Sequence, residues 1–140
     1  MELVFLGTAA ADGIPAPFCS CDLCSRARKK GGRNHRLRSS VLLDRTLKID
    51  NGPDTVAQSQ RLGIAFDTVR SILVTHTHGD HLATDDVLLF VPPFTKTLNH
   101  KVTFLGPGGT SEVIERSSGY RWSRDALDFM PLNPFMPEKT

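Results

Sequence analysis

The sequence predicts an α/β fold, and two observations indicate it. Short apolar stretches that alternate or are rich in β-formers, as β-strands are, recur along the chain. Helical patterns that begin at a capping residue lie between several of them. The chain has 140 residues, of which 39% are hydrophobic, so it is long enough to bury a core. We therefore predict one α/β domain over residues 1–140.

Six strands are predicted. Asp44 and Arg45 separate the second strand from the third and suit a hairpin turn. The fourth strand is strongly apolar, which predicts burial on both faces of the sheet. In chain order, the predicted strands cover residues 2–8, 39–44, 46–50, 69–75, 101–106 and 127–132. The prolines that follow the last strand predict a frayed end.

Three helical segments are predicted between the strands. Asp54 is the predicted N-cap of the first, which ends near Gly63. The second begins at Asp80 and is halted after Phe90 by a pair of prolines. Thr110 is the predicted cap of the third.

Charge and hydropathy exclude several classes of protein. The net charge of +2 is too small to favour nucleic acid as a partner. One basic run, Arg26–Arg38, holds eight basic side chains in a predicted loop, which is either a solvated loop or a site for a phosphate-bearing ligand. No stretch reaches about 18 apolar residues, and no charged segment precedes the first apolar one. We expect a cytoplasmic protein without a membrane span.

All three cysteines lie within six residues of a Pro- and Gly-rich predicted loop. Cys19, Cys21 and Cys24 are too close together for a good disulfide framework, because short loops strain the bridge. Their spacing is compatible with free thiols or with three thiolates around one ion in a reducing compartment.

A second group of ligand-type residues follows the fourth predicted strand. His76 and His78 are two positions apart, so an extended backbone places both imidazoles on one side. Gly79 allows a sharp turn that brings Asp80 and His81 to the same space. We interpret the four as ligands of two ions, with the first pair binding one and the second pair binding the other. Zn²⁺ suits such donors, and Mn or Fe is compatible with them.

The segment THTHGDH, residues 75–81, resembles the HxHxDH signature of the metallo-β-lactamase fold, a set of αββα metallohydrolases. The segment KIDNGPD resembles a second hallmark, in which an aspartate at a strand end, here Asp50, orients the ligands. Ligating histidines need such a partner to fix their tautomer. The resemblance implies a sandwich of two sheets with helices on the outside.

Within that fold, FCSCDLC at residues 18–24 resembles the branch of phosphodiesterases that open phosphoribosyl cyclic phosphate in bacterial phosphonate degradation. The likeness implies that Cys19, Cys21 and Cys24 hold a structural zinc. The pyrroloquinoline-quinone biosynthesis protein B family shares this loop, but its histidine motif is usually degraded, whereas here it is intact.

The resemblance implies a hydrolase with two catalytic zinc ions and one structural zinc. It implies a metal-bound hydroxide that attacks a small phosphodiester, with cyclic phosphodiesters of ribose or nucleotides as the expected substrates. Asp80 would act as a ligand and as a proton acceptor. Thioester, lactam and lactone hydrolysis occur on the same fold, which therefore does not identify the substrate. A non-catalytic metal-binding remnant or interaction module is the alternative.

The chain departs from the resembled pattern because a third histidine, a bridging aspartate and a final histidine do not follow residue 132. We therefore interpret it as the N-terminal half of an αββα sandwich. His35 is a candidate fourth ligand beside Cys24, and His100 is expected on the surface, far from the site. Half a sandwich would expose an apolar sheet face, so we expect a second copy or a missing C-terminal half to cover it.

Overall fold

A computed structural model describes residues 1–96, 98–118 and 127–133 of the chain. In this part of the chain six strands form one sheet, in the same order as in the sequence. They are β1 (Leu3–Gly7), β2 (Ser40–Leu43), β3 (Leu47–Ile49), β4 (Ser71–Leu73), β5 (Val102–Gly106) and β6 (Leu127–Pro131). All six predicted strands are confirmed, although β4 is shorter than predicted.

The sheet is mixed. Strands β1, β2 and β3 pair antiparallel, while β3, β4, β5 and β6 pair parallel. The predicted hairpin between β2 and β3 is confirmed, and both of its turn residues, Asp44 and Arg45, have positive φ angles. Strands β1 and β3 consequently run in the same direction. The carboxyl ends of β1, β3, β4 and β5 therefore meet at one edge of the sheet.

One face of the sheet is covered. Leu42, Lys48, Ile72 and Phe104 are cross-strand neighbours on β2 to β5, and each is at most 1% exposed. They share this face because alternate residues of a strand point to the same side. The apolar members belong to a core completed by Leu6, Val69, Val74, Leu82, Val87, Val102, Ile114 and Leu127.

The opposite face is apolar and partly exposed in the part of the chain that the structure describes. One continuous row of cross-strand neighbours crosses all six strands: Phe5, Val41, Ile49, Leu73, Leu105 and Met130. Phe5 is 63% exposed, and the others are half-buried. The prediction that the fourth strand is buried on both faces is therefore wrong, because Ile72 is buried and Leu73 is not fully covered.

Among the residues that the structure describes, three α-helices lie between the strands: α1 (Asp22–Lys30), α2 (Thr55–Leu62) and α3 (Thr110–Ser118). The prediction of a loop across α1 is wrong. The apolar pattern there is sparse, since only Cys24 and Ala27 of this helix are buried. Helix α2 ends at Gly63, as predicted, and this glycine has the left-handed conformation.

The two predicted caps differ in outcome: the position of Asp54 is confirmed, whereas Thr110 lies inside its helix. Asp54 holds the N-cap position of α2 but makes no side-chain capping bond, because its carboxylate pairs with Arg38 at 2.7 Å. Thr110 is the first residue of α3, and its hydroxyl donates to the carbonyl of Pro107.

The helix predicted from Asp80 is also wrong. A turn occupies its start, and a 3₁₀ helix covers only Asp85–Phe90. No described helix is both long enough and apolar enough to span a membrane. The predicted frayed end lies outside the described residues from position 134 onward.

Candidate metal centre

The histidine-rich segment forms the loop that follows β4. Three of its side chains, those of His76, Asp80 and His81, each offer one ligand atom within 4.8 Å of the others. Their side chains are half-buried. The ring of His78 lies beside that of His76, with 4.7 Å between the ring centroids, but His78 is exposed and is not part of the three-residue group. The structure therefore brings all four predicted ligands to one loop.

Asp50, at the end of β3, contacts this group through His81. Its carboxylate oxygen Oδ2 lies 2.6 Å from Nδ1 of His81. A carboxylate only accepts hydrogen bonds, so Nδ1 of His81 donates to Asp50. The other ring nitrogen, Nε2, lies 3.2 Å from Oδ2 of Asp80. The contact expected of an orienting aspartate is therefore present.

Thr75 extends this support and was not singled out by the sequence. Its backbone N–H donates to Oδ1 of Asp50 at 2.8 Å, and its hydroxyl lies within 3.0 Å of both carboxylate oxygens. The same hydroxyl is 3.1 Å from Nδ1 of His76. Thr75 thus links Asp50 to a second histidine. A single threonine before a histidine gives no signal of this role in one sequence.

Backbone contacts hold the loop against the end of β3. The N–H of Asn51 donates to the carbonyl of His81, and the carbonyl of Asn51 accepts from the N–H of Ala83, both at 2.8 Å. A side chain at Gly52 would overlap with the carbonyl of Asp80. These contacts explain why the chain turns at Asp80 instead of starting a helix, since the backbone groups at 81 and 83 pair with another segment.

The donor set fits a divalent transition metal. Two imidazoles and one carboxylate are ligands that Zn²⁺, Mn²⁺ and Fe²⁺ accept. The carboxylate of Asp50 bonds to Nδ1 of His81, which leaves Nε2 as the nitrogen that would bind an ion, as is usual for ligating histidines. The three clustered donors could serve one ion, whereas the predicted division of four ligands between two ions stays a prediction.

The three cysteines form a second cluster, at the start of α1. Their sulfur atoms lie within 4.8 Å of one another. Cys21 occupies the N-cap position of the helix, Cys24 is buried in its first turn, and Cys19 precedes them in the loop. Arg28 holds that loop by donating to the carbonyls of Ala16 and Cys19.

The surroundings of Cys21 and Cys24 shift the pKa values of these two thiols in opposite directions. The backbone N–H of Cys24 and the neighbouring thiols lower the pKa of Cys21 to about 7. A backbone hydrogen bond with Ala16 lowers the pKa of Cys24, but burial and the two other thiols outweigh it and raise that pKa. A thiol with a lowered pKa is readily available as a thiolate ligand.

The two remaining histidines lie outside both clusters. His35 is exposed and does not join the cysteines; no other donor among the described His, Asp and Glu side chains does so. His100 is half-buried, and its Nε2 lies 2.9 Å from the carbonyl of Val69. The strand after it runs parallel to β4, which places His100 at the edge opposite the histidine loop, as expected.

Known proteins share this architecture. A solved structure described as a new diphosphatase from the PhnP family is 27% identical, with a TM-score of 0.72 over 94% of this chain and 50% of its own. Zinc-bound PqqB from Methylobacterium extorquens is 22% identical, with a TM-score of 0.71 over 94% of this chain and 46% of its own. A metallo-β-lactamase fold protein from Bacillus subtilis superposes with a TM-score of 0.60 over 99% of this chain.

Curated relatives match at the level of sequence. Ribonuclease Z from Listeria welshimeri is 32% identical over 120 residues, which are 84% of this chain and 34% of the relative. Coenzyme PQQ synthesis protein B from Methylorubrum extorquens is 32% identical over 107 residues, which are 68% of this chain and 36% of the relative. The chain thus spans about a third of these relatives and about half of the first two solved structures. No protein-family model matches it.

Proposed function

Since the chain has the metallo-β-lactamase fold, we propose that it carries the metal-binding part of a metal-dependent hydrolase that cleaves phosphodiesters. The observation that carries this proposal is the cluster of His76, Asp80 and His81, in which the carboxylate of Asp50 contacts Nδ1 of the second histidine and orients its ring. A diphosphatase and a ribonuclease among the similar proteins support phosphate esters or anhydrides as the substrate class.

The chain's own residues have distinct tasks in this proposal. A divalent ion at the site would supply Lewis-acid chemistry and lower the pKa of a coordinated water. His76 and His81 would hold the ion, and Asp50 would keep His81 from rotating. Asp80 has two carboxylate oxygens, so one can bind the ion while the other accepts a proton.

Substrate phosphate would be held by part of the basic run. Arg28 and Arg38 are engaged in structural contacts. Arg33 and Arg36, by contrast, are exposed and line a pocket of about 440 Å³. Arg61 also lines it, but donates to the carbonyls of Gly32 and His35. Residues at the carboxyl end of β1 line the same pocket, and that strand ends at the edge of the sheet that carries the histidine loop. Guanidinium groups suit phosphate oxygens because they donate two parallel hydrogen bonds.

Within this class we propose cyclic phosphodiesters of ribose or nucleotides. The test is hydrolysis of a 2′,3′-cyclic nucleotide and of bis(4-nitrophenyl) phosphate, each with added Zn²⁺ or Mn²⁺. The proposal expects turnover of both, with the cyclic substrate preferred. It expects a loss of at least about a hundredfold in His81→Ala, since a ligand is removed. His100→Ala, at the edge of the sheet opposite the histidine loop, should keep its activity.

A second candidate function is a metal-binding module without catalysis. The relation to coenzyme PQQ synthesis protein B and the number of described ligands, fewer than three for each of two ions, favour it. Two results together would support this module. Zinc would bind at a fixed ratio of ions to chains, with part of it lost in His81→Ala, and neither substrate would be hydrolysed. Equal activity of wild type and His81→Ala would exclude the hydrolase at this site.

A further inference from the structure

A lysine lies in the middle of the covered sheet face. Lys48 is in β3, 1% exposed, with Leu42 and Ile72 as its cross-strand neighbours. Lysines are almost never fully buried unless they are paired, because removing an ammonium group from water is costly. A residue retained at such a cost calls for a specific set of contacts.

Those contacts are present, and they converge on the segment that supports the histidine loop. The ammonium group donates to the backbone carbonyl of Asp50 at 2.5 Å, to Oδ1 of Asn51 at 3.2 Å and to the hydroxyl of Thr55 at 3.1 Å. In its protonated form the group has three N–H donors, so all three are used. The ring of Phe66 lies 5.8 Å away and adds a favourable cation–π contact.

The two residues next to this lysine hold His81 by different atoms. The carboxylate of Asp50 contacts its Nδ1 at 2.6 Å, and the N–H of Asn51 donates to its backbone carbonyl at 2.8 Å. Asp50 also has a φ of 59°, a left-handed conformation that costs free energy for a residue other than glycine. A strong bond to its carbonyl stabilises that conformation.

We propose that Lys48 is a positioning residue that fixes residues 50 and 51 and thereby the orientation of His81 at the metal site. This inference rests on the proposed metal-binding function. It assigns a role in the site to a side chain that points into the core and touches none of the candidate ligands.

Replacement by methionine distinguishes this role from simple packing. Methionine fills a similar volume but has no donor, so the carbonyl of Asp50 and Oδ1 of Asn51 would lose their bonds to the ammonium group. Each acceptor would keep one hydroxyl partner, Thr55 for Oδ1 of Asn51 and Ser40 for the carbonyl of Asp50, so the loss would be partial. The loop would relax, while the core would lose a buried charge.

The test is titration of the chain with Co²⁺, followed by the visible absorption of the ion. Thiolate-to-metal charge-transfer bands report the cysteine cluster, and d–d bands without them report the histidine cluster. In Lys48→Met we expect about tenfold weaker binding at the histidine cluster, in line with losses at residues that support metal ligands. The cysteine bands should not change. Lys101→Met, the removal of an exposed lysine, is the matched control and should bind like wild type.

Folded Lys48→Met with wild-type affinity at the histidine cluster would overturn the inference. If Lys48→Met does not fold, Thr55→Val keeps the lysine and removes one of its acceptors. That variant should bind the ion several-fold more weakly, and unchanged affinity would overturn the inference equally. If the proposed function itself is wrong, the result is different. Wild type and His81→Ala would then give the same Co²⁺ spectrum.

Discussion

The two faces of the sheet differ in residue type, and the difference is the reverse of what their exposure to water predicts. The covered face buries a lysine, whereas the partly exposed face carries an unbroken apolar row across all six strands. Water favours polar groups outside and apolar groups inside. The apolar row is thus exposed against this preference, and the buried lysine lies in the core only together with its hydrogen bonds. We propose that a second copy or a further segment of a longer protein covers the apolar row.

Replacing each of two neighbouring residues of β4 by alanine tests this comparison, and it should give the largest change in the free energy of unfolding. Ile72 is fully buried, and Leu73, the next residue, faces the opposite side. In dilute protein we expect Ile72→Ala to lower the free energy of unfolding by about 4 kcal/mol and Leu73→Ala by about 1 kcal/mol, since less apolar surface is lost. Urea unfolding measures both. Equal losses would mean that both faces are covered in solution.

The charge inside the covered face predicts a pH dependence of smaller size. Burial lowers the pKa of Lys48 from 10.5 to about 7, although the negative charges of Asp50 and Asp86 act to raise it. Between these values the unfolded chain holds a proton that the folded chain has released, so stability rises with pH. We expect a gain on the order of 2 kcal/mol from pH 7 to pH 9 that Lys48→Met lacks.

Urea unfolding at both pH values measures this gain. The difference between wild type and Lys48→Met isolates the lysine, because contributions from other groups, including Cys21, are common to both proteins. A gain of the same size in the variant would show that Lys48 keeps an ordinary pKa in the folded chain.

The sequence predicted all six described strands and the candidate ligands, because alternation and ligand spacing are local properties. It did not predict α1, since a nine-residue helix with two buried residues has almost no apolar period. It also failed at Asp80, where pairing of the following backbone with Asn51 overrides the local helical pattern. The alternation in TLKID places Leu47 and Ile49 on one face and Lys48 on the other, but alternation alone does not reveal which face is covered.

Self-association tests the open face directly. Leu3 and Phe5 are 51% and 63% exposed on β1, and Val56 and Leu62 are 45% and 42% exposed on α2. If the apolar row pairs with a second copy, replacing Leu3 and Phe5 together by serine should raise the dissociation constant at least about tenfold, because two buried apolar side chains are lost. Serines at Val56 and Leu62 should have no effect. Sedimentation velocity over a range of concentrations measures both, and a wild-type chain that stays monomeric and melts cooperatively would contradict pairing.

The smallest predicted effect concerns a charge on the open face. Asp128 pairs with Lys101 at 3.2 Å, and the two side chains are 52% and 47% exposed. Exposed pairs contribute little because water screens both charges, so Asp128→Ala should change the free energy of unfolding by no more than about 0.5 kcal/mol in dilute protein. Repeating the urea titration at high protein concentration sharpens the comparison of the two faces. A loss that grows to about 2 kcal/mol would mean that association buries this ion pair and that the covering surface extends to β6. A loss that stays small at every protein concentration would mean that the covering surface does not reach β6.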